Sequence, residues 1–229
     1  MAFFGSPLYG IALTIGAYVL GAALCARIGS PLLSPLLVGV AVAAAFISVT
    51  EAGLDGYMAG GEMVSSFLGP CTVALAVPVY RKRGLLLKNA PSMAFGIAMG
   101  SLCSLFLAYL IKVTTGCAEE VYLSLVPKSV TTPIGSALSE RIGGIPSVTV
   151  LAIICTGVLG SVMAPMVLKA ARIRDPIARG LAIGTSSHAI GTSRAVAMGE
   201  AEGSASGLAI GVAGIVTVLL APPLVGLLG

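Results

Sequence analysis

The sequence predicts an all-α integral membrane protein with about seven transmembrane helices and a re-entrant hairpin, and three observations predict it. The chain is 57% hydrophobic and only 10% charged, with a mean hydropathy of +1.04, whereas soluble domains carry roughly 25% charged residues. Its apolar residues gather into runs near the ~20 residues that a spanning helix needs. Its basic residues sit between those runs, where the positive-inside rule places them. A soluble fold of 229 residues would leave much of this apolar surface in water. The net charge of +4 therefore marks topology and not a nucleic-acid partner. The five cysteines, Cys25, Cys71, Cys103, Cys117 and Cys155, lack metal-ligand spacing and read as small packing residues. No cofactor, metal or enzymatic activity is expected.

The elements follow in order within one membrane domain, 1–229. A first helix occupies 1–30, with its apolar run at Leu8–Ala26. No Lys or Arg precedes Arg27, so the segment lacks a signal peptide's basic start. It is expected to stay uncleaved with its N-terminus outside. A first repeat, 31–112, holds runs at Pro31–Val49, Val64–Tyr80 and Pro91–Ile111. The region 113–145 contains Val121–Ile142, broken by Pro127, Pro133 and several hydroxyls, which suits a hairpin better than a span. A second repeat, 146–229, holds runs at Ser147–Leu168, Ile177–Met198 and Ser206–Leu228. Glycine runs through nearly all of them, as suits helices that approach closely in lipid.

The repeat rests on a gapless shift of 115 residues, which lays Gly69–Leu105 over Gly184–Leu220 with Gly69/Gly184, Gly96/Gly211 and Leu105/Leu220 among the identities. Charge gives its sense. The Gly69 segment is preceded by Glu51, Asp55 and Glu62 and followed by Arg81, Lys82, Arg83 and Lys88. The Gly184 segment is preceded by Lys169, Arg172, Arg174 and Arg179 and followed by Glu200 and Glu202. With basic loops inside, the halves are expected to be inverted, with interrupted third spans and a cytoplasmic C-terminus. Seven crossings then leave Val121–Ile142 as the segment that does not cross.

Inverted repeats with interrupted helices are a recurrent plan of secondary transporters, whose substrates bind near the bilayer midplane. Unwound backbone in lipid must find partners or line a cavity. The first interruption supplies Gly69, Pro70 and Thr72 as candidate substrate-binding residues. The second supplies Thr185, Ser186, Ser187, His188, Thr192, Ser193 and Arg194. Arg194 would hold a carboxylate; the bland alternative is that it snorkels to water or pairs with Glu200. The hydroxyls could equally bond back to their own helix. His188, the chain's single histidine, is a candidate substrate ligand, or a proton carrier if transport is proton-coupled. In the hairpin, Lys128, Ser129, Thr131 and Thr132 could form an anion-binding lip.

Four stretches carry a resemblance: Pro127–Pro133, Gly143–Ser147, Asp175–Gly180 and Gly184–Ala195. With Leu68-Gly69-Pro70 and Ala221-Pro222-Pro223-Leu224, they resemble the LrgB/CidB family of bacterial inner-membrane proteins over nearly the whole chain. The resemblance implies a multi-pass protein of the bacterial inner membrane, often accompanied by a small LrgA/CidA-type membrane partner. It implies two functions. One is transport of small monocarboxylates of the glycolate, glycerate or pyruvate kind, since the family is similar to the C-terminal part of the plastidial glycolate/glycerate transporter. The other is holin/antiholin-like control of murein hydrolases and autolysis. The expected partners are the lipid bilayer, a small carboxylate, that small membrane protein and further copies of this chain. The interrupted spans and the hydroxyl–His–Arg group favour transport. The family supplies no established site residues, so the candidates above rest on the residues alone.

Overall fold

The computed structural model describes residues 6–28, 35–50, 54–67, 70, 73 and 76–228, and among these every regular element is an α-helix. The chain divides into two units, Met1–Ala74 and Leu75–Gly229. Glycine decides the packing of the first unit, formed by α1 (Pro7–Ile28), α2 (Pro35–Val49) and α3 (Leu54–Ser65). A Cβ on Gly10 would stand 2.5 Å from the Tyr57 carbonyl oxygen and 2.9 Å from the Gly60 Cα. One on Gly21 would stand 2.5 Å from the Pro35 oxygen. The helices thus touch backbone to backbone, as the glycine content predicts.

The second unit holds α4 (Ala76–Arg81), α5 (Arg83–Lys88), α6 (Ala90–Thr115), α7 (Glu119–Leu125), α8 (Thr132–Ile142), α9 (Pro146–Ala170), α10 (Pro176–Met198) and α11 (Glu200–Leu228). Among the described residues, four helices are long and apolar enough to cross a membrane: α1, α6, α9 and α11. The apolar part of α2 is shorter, at Leu37–Val49. The expected run Val64–Tyr80 falls on the end of α3, on α4 and on residues outside the description between them.

Within the second unit, α6 and α11 lie side by side and parallel. Met93 packs with Ala205, Ile97 with Ala209 and Ala213, and Leu105 with Ala221. Helix α9 bridges the two ends: Thr149 near its start bonds to α7 and α8, while Leu168 near its finish packs on Ile183 and Ala195. The segment Val121–Ile142 is a hairpin, as its prolines suggest. Leu138 of α8 packs back on Tyr122, Leu123 and Val126, and the Ile145 amide donates to Ser124 Oγ at 2.7 Å. Its base is tied to α6 by Lys112–Glu119, 2.6 Å.

Helix α10 departs from expectation. Ile177–Met198 was expected to cross; instead it folds in two at His188, whose backbone stands at φ 42°, ψ −141°. Arg179 at its start and Glu202 just beyond its end are 3.5 Å apart. A straight helix would separate them by roughly 30 Å at 1.5 Å per residue. Ile183 of the first arm shares a core with Ala195 of the second. Each arm is about 18 Å or less, too short to cross.

The two halves are not inverted in the sense that their loop charges suggest. Lys82 and Glu200 form an ion pair at 3.0 Å, so the basic loop before α6 and the acidic loop before α11 share one end of the bundle. The segments equated by the 115-residue shift, α6 and the body of α11, run parallel and not opposed. An inversion does exist, between other segments. Hairpin α7–α8 followed by α9 enters from one end of the bundle, and hairpin α10 followed by α11 enters from the other.

Candidate functional site

The two hairpins point at each other, and Ile153 of α9 stands between their tips. Its carbonyl oxygen is 2.9 Å from His188 Nε2 and, as an acceptor, fixes that nitrogen as the protonated one. Its Cδ1 would meet a Cβ on Gly135 of α8 at 2.5 Å. His188 is seated in a notch left by Gly157, where a Cβ would stand 2.6 Å from the imidazole Cε1. Its positive φ is strained for a residue with a side chain. The surrounding packing holds it there.

Beside the tips lies a cavity of about 700 Å³ between α6, the first arm of α10 and the α7–α8 turn. Its charged lining residues are Lys128 and Asp175. Asp175 caps α10 by accepting from the Ala178 amide at 2.8 Å. Lys128 stands in the α7–α8 turn, outside the spanning helices, and is 8% exposed. Its Nζ donates to the Ser104 carbonyl oxygen at 2.9 Å and to Ser104 Oγ at 3.2 Å, and Ser104 Oγ meets Ser129 Oγ at 2.7 Å. Among the described residues no carboxylate lies within ion-pair distance of Lys128. Ser104 is 14 residues into the 26 of α6, so this cluster sits near mid-length of the helix.

The candidates from the sequence divide cleanly. Lys128, Ser129, Thr185 and Ser186 all line the cavity. Thr185 and Ser186 also bond back to their own helix, to Leu181 O and Ala182 O. Ser187, His188 and Thr192 are buried elsewhere: Ser187 Oγ meets Ser186 Oγ at 3.0 Å, and Thr192 Oγ1 meets Ser206 Oγ at 2.7 Å. Ser193 and Arg194 are exposed and do not line the cavity, so Arg194 holds no ligand there; Glu200, its alternative partner, is taken by Lys82. Thr131 is half-buried and Thr132 exposed, both off the cavity. Gly69 and Thr72 lie outside the described residues, and Pro70 is exposed. Sequence reasoning missed α6. Ser92, Gly96, Gly100 and Ser104 recur every fourth residue and all face the cavity, a small-residue stripe on one helical face that could have flagged it.

Apolar spanning helices, with a largely apolar cavity that carries Lys128 and a few hydroxyls, define a multi-pass membrane protein. The chain belongs to the LrgB-like family, whose profile matches residues 14–227. It is 35% identical, over 98% of both chains, to the antiholin-like protein LrgB of Bacillus mycoides (strain KBAB4). The antiholin-like LrgB proteins of Bacillus cereus (strain B4264) and Bacillus anthracis (strain CDC 684 / NRRL 3495) are also 35% identical over 98% of each chain. No solved structure matches it.

Proposed function

We propose that this chain acts as its relatives are named, as an antiholin-like protein that restrains murein-hydrolase activity and autolysis in a bacterial inner membrane. A small LrgA-type membrane protein is its proposed partner, and no enzymatic activity is assigned to it. The observation that carries this is the 35% identity to antiholin-like LrgB over 98% of both chains. The test is deletion of the gene in its host, with detergent-induced lysis and murein-hydrolase release measured against the complemented strain. Faster lysis on deletion is expected; unchanged lysis and hydrolase release would sink the assignment.

A second reading is favoured by the geometry: a carrier of small monocarboxylates. Two hairpins that enter from opposite ends and stop beside a cavity carrying Lys128, Ser104 and Ser129 suit alternating exposure of a site near the midplane. A protein that only assembles into a lesion, or blocks one, has no use for this arrangement. In this reading the hairpins are re-entrant, and the end carrying Arg81, Lys82, Arg83, Lys88, Arg172, Arg174 and Arg179 faces the cytoplasm. Helix α11 starts at that end, so the C-terminus lies outside, opposite to the orientation that charge alone suggested. Uptake of labelled glycolate and pyruvate into liposomes holding the purified chain tests it. Saturable uptake is expected, and dye leak without saturation would favour a pore. Absence of any uptake, with and without the small partner, would remove the carrier reading.

A further inference from the structure

The carrier reading leaves open which group holds the ligand and what charge it carries. Lys128 is more than nine-tenths buried, and the partners of its ammonium are the neutral oxygens of Ser104. A buried charge with neutral partners alone is costly, and a counter-ion offsets the cost. An ammonium has three donors, so one remains after the two bonds to Ser104. Ser129 Oγ, 2.7 Å from Ser104 Oγ, lies on the same cavity wall, and the hydroxyls of Thr185 and Ser186 stand on the α10 wall. The cavity's other charged group, Asp175, is negative and stands exposed at the start of α10.

We propose, resting on the carrier reading, that Lys128 anchors the carboxylate of a small monoanion, steadied by Ser104 and Ser129, and that the site rejects dianions. Arriving anion takes the free donor of Lys128 and displaces one of its bonds to Ser104. The pair is then neutral inside the protein. A second negative charge would find no cation among the described lining residues. Selection by charge follows from there being one ammonium at the site. The first arm of α10, ending at the His188 fold, carries Thr185 and Ser186 past the opposite side of the bound anion.

The experiment is calorimetric titration of the purified full-length chain with glycolate, with succinate as competitor. Glycolate should bind saturably and succinate should not displace it at equal concentration. Lys128→Gln should weaken glycolate at least about tenfold, the scale of a lost charge-assisted bond. Lys169→Gln, which removes an exposed cation away from the cavity, should leave affinity unchanged. Ser129→Ala, at a half-buried position, should weaken it several-fold and guards against misfolding of the lysine variant. Wild-type affinity in both Lys128→Gln and Ser129→Ala overturns the anchor while the carrier reading stands. Succinate binding as tightly as glycolate overturns the charge rule. Absence of binding by the wild-type chain to glycolate, pyruvate or succinate overturns the carrier reading together with the anchor.

Discussion

The two hairpins of the second unit reach the same place by different means. The α7–α8 hairpin turns through Val126–Thr131, with Pro127 in the turn and Pro133 at the start of α8. Glycines with positive φ close its flanking helices, Gly116 at 64° and Gly143 at 87°. Its turn and its base obey local rules: proline in the turn where no helical amide is needed, glycine at the helix ends where the left-handed conformation is needed. The α10 hairpin turns on His188 alone, a residue whose side chain disfavours that backbone. Its fold is therefore imposed from outside, by Gly157 and Ile153 of α9 and by the ion pairs at its base. One hairpin is written locally and the other is set by tertiary packing.

The largest effect that could break this comparison is topological and all-or-none. In a cysteine-free background, Lys82→Cys and Glu200→Cys should react with an impermeant maleimide from the same face of the membrane, because the native side chains are 3.0 Å apart. Arg141→Cys, at the foot of the other hairpin, should react from the opposite face. Labelling of the Lys82 and Glu200 positions from opposite faces would restore a straight, crossing α10 and remove the second hairpin. Next in size is the notch. Gly157→Leu forces a branched side chain where the imidazole sits, and overpacking of this kind costs about 1–3 kcal/mol or more. The Tm in detergent should fall well below that of Gly211→Leu, whose Cβ would meet nothing within 4 Å. Equal Tm values would mean that His188 does not depend on the notch.

The same contrast explains what the sequence could reveal. Membrane class followed from composition, and the α7–α8 hairpin followed from its prolines and hydroxyls; the count of crossings pointed the same way but rested on a crossing α10 that the structure does not have. Lys128, Ser129, Thr185 and Ser186 were picked out by residue type, and the fold gathers them on one cavity. The break in α10 was legible within Gly184–Arg194, but its fold-back was not, since the turning residue His188 is neither glycine nor proline and the packing that holds it lies on α9. The inverted reading of the halves failed for an electrostatic reason. Glu200 and Glu202 were taken to mark an outer loop, yet acidic residues contribute little to orientation. Here they are neutralised by Lys82 and Arg179 at the basic end. The α6 wall is hard to read from sequence because Ser92, Gly96 and Ser104 look like ordinary helix-packing residues, and only the fold shows that they line a cavity.

Smaller effects separate the two turns energetically. His188→Gly and His188→Ala both remove the imidazole and its bond to Ile153, but only glycine suits a φ of 42°. The glycine variant should be more stable than the alanine variant by about 1–2 kcal/mol, the reverse of their order in a regular helix. Thermal unfolding of the two in one detergent decides it; an alanine variant at least as stable as glycine would mean that the backbone at 188 is not left-handed. The α7–α8 hairpin should respond to a different lesion. Thr149 Oγ1 stands 2.9 Å from Ser124 O and 2.7 Å from Ser139 Oγ, joining α7, α8 and α9 through one buried hydroxyl. Thr149→Val keeps the shape and removes that hydroxyl, and should cost about 1 kcal/mol through the lost bonds. The loss should appear first as faster hydrogen exchange in α7 and α8, with α10 unchanged, because the two hairpins are held by separate contacts. Exchange that rises equally in both would show that Ile153 couples them into one cooperative element.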